Sequence, residues 1–68
     1  MKYAVVVEES PTGFAAYVPD LPGCIAAGGT RAEVQRLIRE AIQFHLEGLR
    51  EHGDPVPEPT TGVELVEV

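Results

Sequence analysis

The sequence predicts an α+β fold in a single domain spanning residues 1–68. The expected order is β-β-β-α-β: a three-stranded antiparallel meander, one helix packed on one face, and a C-terminal parallel edge strand. Three observations carry this expectation. Residues 3–28 hold short apolar runs separated by Pro and Gly, the punctuation of strands and turns. The stretch TRAEVQRLIREAIQFHLEGLRE repeats its apolar residues at spacings of three and four, behind a helix-start signal. After a proline-rich passage, Gly62 to Val68 returns to a partial strand alternation.

Tyr3 to Glu9 reads as the first strand. Tyr3, Val5 and Val7 share one face, while Ala4, Val6 and Glu8 share the other. Two partly apolar faces predict a central strand, covered at least in part on both sides. Ser10-Pro11-Thr12-Gly13 is a turn, because Pro11 presets its φ and Gly13 tolerates a positive one. Phe14 to Val18 is the return strand. Pro19 and Pro22 cannot donate to a ladder, so that strand ends near Val18 and the loop Pro19–Gly23 turns the chain again. Cys24 to Gly28 is a short third strand of mostly small residues, which allow another element to approach closely.

Thr30-Arg31-Ala32-Glu33 is a capping box, with the Thr30 hydroxyl accepting from the Glu33 amide and the Glu33 carboxylate reaching back to the Thr30 amide. Val34, Leu37, Ile38, Ala41, Ile42, Leu46 and Leu49 then form a broad apolar stripe facing the sheet. Glu33, Arg36, Glu40, Glu47 and Arg50 form the solvated side. His52 and Gly53 close the helix, the glycine as a left-handed cap. The alternate prolines of Asp54 to Pro59 forbid helix and inner strand and predict a stiff, extended surface return. The last strand, Gly62 to Val68, then runs parallel to the first and third by a right-handed crossover. One helix covers one face of such a sheet. The other, bearing Val6, needs a second subunit or a partner.

A chain of 68 residues buries only about 60% of its unfolded surface, so its core is marginal. Cys24 is the sole cysteine and can form no internal disulfide; one thiol and two histidines have no ligand spacing for a metal. Oligomerisation is the remaining reinforcement, and the expected state is a homo-oligomer, a dimer or a dimer of dimers. No export signal and no spanning apolar run are visible, which fits the cytoplasm and no membrane. The net charge of −6 argues against direct nucleic-acid binding and suits a basic protein partner, though it also serves plain solubility.

Three features could carry chemistry. Asp20, with Glu8 and Glu9, could hold Mg²⁺ or act as acid and base, but nothing brings them together and Asp between prolines ordinarily bonds its own turn. No catalytic residue, metal site or cofactor is therefore assigned, and no enzyme activity is expected. Gly28-Gly29-Thr30 before a helix could cradle phosphate, yet it lacks the lysine and further glycines of such loops, and Glu33 would repel the anion. A tight strand-to-helix turn accounts for it better. His45 borders the apolar stripe, where a histidine is ordinarily half-buried; with Val6 it is a possible interface residue. Cys24 reads as a small buried residue.

From Tyr3 to Pro59 the sequence resembles the N-terminal domain of the HicB antitoxin family. The resemblance rests on Tyr17-Val18-Pro19-Asp20-Leu21-Pro22-Gly23-Cys24 after a strand-turn-strand, on the Gly-Thr-x-x-Glu helix start, and on Asp54-Pro55-Val56-Pro57-Glu58-Pro59. It implies a partial RNase H-like fold without a working nuclease site, with the last strand beside the first. It also implies binding to a small basic HicA-like mRNA-cleaving toxin, whose catalytic surface the antitoxin masks. Full-length relatives add a C-terminal ribbon-helix-helix or helix-turn-helix that binds operator DNA. This chain has no room for one before Val68, so it is expected to be a stand-alone short member, and operator binding is not carried over. Expected partner contacts are Glu8, Glu9, Tyr17, Asp20 and Leu21. The alternative readings are a degenerate RNase H-like RNA-processing protein and a solo regulatory module with another partner.

Overall fold

The computed structural model describes residues 1–68. Strands β1 (Val6–Ser10), β2 (Gly13–Tyr17) and β3 (Ile25–Gly28) form an antiparallel sheet in the order β1-β2-β3, followed by helix α1 (Arg31–Glu51). The α+β class, the meander and the single helix are those the sequence predicts. The C-terminal strand is the departure. Residues 55–68 make no backbone–backbone hydrogen bond, and the sheet stops at three strands. The physical reason lies in the alternation. Val63 and Leu65 fall on one face of an extended chain and Val66 and Val68 on the other, and nothing in one copy buries either set: Leu65 is 96% exposed. It follows that β1 is an edge strand, not the central strand its two apolar faces predict.

The β1–β2 hairpin turns through Pro11-Thr12, with Ser10 opposite Gly13. Gly13 has φ +147°, and a Cβ there would lie 2.6 Å from the Gly28 carbonyl oxygen, so only glycine fits. Helix α1 begins as the capping box dictates: the Glu33 amide donates to Thr30 Oγ1 at 3.1 Å. The carboxylate of Glu33 goes one residue further back than expected, accepting from the Gly29 amide at 2.8 Å. A Cβ on Gly28 would lie 2.7 Å from that carboxylate and 3.2 Å from the Val34 amide nitrogen, so a larger residue there would displace the Glu33 side chain from its bond. At the other end Gly53 takes φ +71°, and the Asp54 amide donates to Leu49 O at 2.9 Å. His52 Nδ1 lies 2.7 Å from the Gly48 carbonyl oxygen, as suits a helix C-terminus.

The core lies between the sheet and α1 and consists of Ala16, Val18, Leu21, Cys24, Val34 and Ile38. Burial of a side chain such as Leu21 or Val34 is worth about 1.5–3 kcal/mol. Only six of 68 residues are fully buried, so the margin over conformational entropy is thin. The helix sits over β3 and β2, leaving the inner face of β1, with Val5 and Val7, only half-covered.

Candidate partner-binding surface

The loop Pro19–Gly23 is folded inward rather than presented. The Leu21 amide donates to Val18 O and the Cys24 amide to Leu21 O, each at 3.1 Å, while the Val18 amide donates to Cys24 O at 3.2 Å. Gly23, at φ +83°, supplies the reversal. These bonds drive Leu21 into the core, where it is 1% exposed. Leu21 is therefore a packing residue and its side chain is withheld from any partner, contrary to the sequence expectation. Cys24 is buried beside it, and burial raises its thiol pKa above the ordinary value.

Asp20 also has a structural task. Its carboxylate accepts four hydrogen bonds, from the amide and hydroxyl of Thr60 at 3.1 and 3.0 Å and from those of Thr61 at 3.0 and 2.8 Å. The Thr61 amide, then its hydroxyl, then the Thr60 pair lower the pKa below the usual carboxylate value. The turn aspartate expected to bond its own backbone instead holds a segment 40 residues away. Upstream, Tyr3 Oη donates to Pro57 O, so the proline-rich return crosses the end of the sheet from β1 toward the β2–β3 loop.

The three acids do not converge. Glu9 lies opposite Phe14 and Glu8 opposite Ala15, both near the hairpin turn, whereas Asp20 follows Tyr17 at the other end of β2. Consecutive residues of a strand face opposite ways, so Glu8 and Glu9 stand on different faces of the sheet. No group of three or more His, Cys, Asp and Glu side chains is gathered as metal ligands would be. The amide that opens the helix turn is taken by the Glu33 carboxylate, which stands where a bound phosphate would.

What the register does assemble is a row. Val6 pairs with Tyr17 and Tyr17 with Ile25, so these three side chains lie side by side on the face away from α1. Tyr17 is 42% exposed and Ile25 70%. Glu8, Ala15 and Ala27 form the next row, two alanines and an acid that leave the surface shallow beside the apolar bar. Of the expected contacts Glu8 and Tyr17 share this face and Glu9 is on the other; of the two possible interface residues Val6 joins the row, whereas His45 is half-buried on α1. Sequence reasoning missed Ile25. Its signal was a lone large residue in a strand of small ones, but only the register sets it beside Tyr17.

The module is, by class, a small α+β domain of one helix on a three-stranded sheet, with an apolar and acid-edged face left open. The chain belongs to the HicB-like antitoxin family of bacterial toxin–antitoxin systems, whose family model matches residues 3–67. It is 36% identical over its full length to Antitoxin HicB 2 of Photorhabdus laumondii and spans 50% of that protein. It is 40% identical over 57 residues to a 14.9 kDa protein of Haemophilus phage HP1, spanning 43% of it. A UPF0150 protein of Thermoplasma acidophilum is 38% identical over 58 residues and is spanned to 84%. Among solved structures, a chain of the HicA3 and HicB3 toxin–antitoxin complex superposes with TM-score 0.74 at 35% identity, covering 88% of this chain and 70% of that one. The crystal structure of Antitoxin HicB3 gives 0.72, also at 35% identity, with 44% of that chain covered.

Proposed function

We propose that this chain binds and neutralises a small basic, HicA-like mRNA-cleaving toxin by covering it, without catalysis of its own. The observation that carries the reading is the Val6–Tyr17–Ile25 row with Glu8 at its margin, on the sheet face that no element of the chain covers. An exposed apolar bar with an aromatic centre is the composition of an interface core, and acids at its edge suit a basic partner. Membership of the antitoxin family and the likeness to a chain of a toxin–antitoxin complex support the same reading. The protein acts as a homo-oligomer, a dimer or a dimer of dimers, in the cytoplasm, and takes no nucleic acid directly. No helix is long and apolar enough to cross a membrane.

The test is co-expression with a small basic HicA-like toxin, read by growth rescue and by pull-down. The wild-type chain is expected to form a complex and restore growth. Tyr17→Ala and Ile25→Asp, both at exposed positions, should weaken binding at least tenfold while leaving the fold intact by circular dichroism. Absence of a complex with an active toxin overturns the reading, as does metal-dependent RNA cleavage by the chain alone that Glu8→Gln and Asp20→Asn abolish.

A further inference from the structure

We infer that Gly62–Val68 is the missing fourth strand, supplied in exchange: the segment from one copy pairs with the free edge of β1 in a second copy. It deepens the oligomer part of the proposed function and adds the interface through which the copies join. Three features of the structure meet here. The first is an unfilled place in the fold. The outer edge of β1 has no neighbour, and between it and α1 lies an open groove of about 520 Å³ lined by Val5, Val7, Ile38 and Ile42, with Gln35, Arg39 and Gln43 at its polar side. A strand added to β1 would complete the ladder and lay alternate side chains into that groove.

The second is a segment of the right chemistry with nowhere to go in its own copy. Val63, Leu65, Val66 and Val68 are each more than 70% exposed. The radius of gyration, 13.2 Å, exceeds the roughly 11 Å of a compact domain of this length. Seven residues in strand geometry span about 23 Å, enough to run the length of β1. With Val63 and Leu65 facing the groove, Glu67 falls on the same face, a carboxylate of the right charge for Arg39 at the groove's polar side; Arg39 has no carboxylate within ion-pair distance in its own copy, where the ion pair present is Arg36–Glu40.

The third is the clamp that sets the direction. Asp20 pins Thr60 and Thr61 on the loop joining β2 to β3, with β2 between that point and the free edge of β1. Beyond that point the segment pairs with no strand of its own copy. A second copy, free to rotate, presents its β1 edge to it, and a two-fold arrangement makes the exchange reciprocal and closed. The two grooves are then filled by the two tails, and the row on the opposite sheet face stays open for a toxin.

The test mixes ¹⁵N-labelled and ¹³C-labelled full chains, refolds them together and records nuclear Overhauser contacts filtered for the two labels. Expected are contacts across the label boundary between β1 amides and protons of residues 63–67. A chain ending at Thr61, which keeps the clamp, is expected to fall from the mass of two copies to that of one in light scattering, and Leu65→Lys to do the same. Contacts confined to one label mean that the tail pairs in its own copy and overturn the exchange. A dimer that survives removal of residues 62–68 overturns it too, while leaving the oligomer standing. A full chain that is monomeric at high micromolar concentration overturns both. Toxin binding by pull-down is a separate readout, and its failure leaves the exchange untouched.

Discussion

Leu21 shows how a single side chain can be assigned to the wrong side of a surface. Between two prolines and a glycine it reads as the tip of a recognition loop, yet three backbone hydrogen bonds fold that loop inward and make it the most buried leucine of the chain. Leu21→Ala should therefore cost about 2–5 kcal/mol of stability, measured by urea unfolding, and should alter toxin affinity only through the folded fraction. Asp20 was half legible: the residue type announces a turn bond, but its partners come from a distant segment that no local pattern marks. Because its folded pKa is lowered, its clamp adds stability that is complete above the ordinary value of 3.8 and is lost as pH falls through the lower folded value. In an acid titration followed by NMR, the Thr60 and Thr61 amides should shift as Asp20 protonates, ahead of the core signals. Asp20→Asn, with one acceptor oxygen in place of two, should give the same released spectrum at neutral pH.

At the scale of elements, legibility followed how local the determining forces are. The helix carries its own start, stripe and stop within one stretch of chain, and the structure reproduces them, with the Glu33 carboxylate displaced by one amide. The hairpin was readable for the same reason. Its Gly13 should resist change more than a surface turn normally does, since an alanine there meets both a positive φ and the Gly28 carbonyl. Gly13→Ala is expected to destabilise by about 1–3 kcal/mol, seen as a lowered Tm, with Thr12→Ala as the near-neutral control. The fourth strand was not readable, because a strand is fixed by its neighbour, and the alternation of Val63 to Val68 does not say which edge, or whose, will receive it.

For the molecule as a whole, the charge of −6 and the split of Glu8 and Glu9 between faces lead to a kinetic expectation. If the charge chiefly steers encounter, added salt should slow association with the proposed basic partner more than it speeds dissociation. Glu8→Gln should act on the same rate, and Glu9→Gln less, in stopped-flow binding at two ionic strengths. That an uncovered sheet face exists could be read from one helix and three strands. Which side chains share it could not, since that depends on register, and register emerged only when Val6, Tyr17 and Ile25 were placed in one row.

In a sheet ordered β1-β2-β3, the middle strand alone has both of its ladders closed, and this becomes a clock when the protein is moved into deuterated water. Amides of Gly13–Tyr17 and of the helix around Val34 and Ile38 should be the last to exchange. Within a single copy the β1 amides that point away from β2 have only solvent to bond, and in a dilute, separated copy they should exchange among the first, at a rate close to that of an unstructured chain. Those few amides are therefore a built-in sensor for a docked strand: whatever pairs with the edge of β1 will slow them, and dilution that releases the strand will quicken them again, while the rest of the molecule keeps time unchanged.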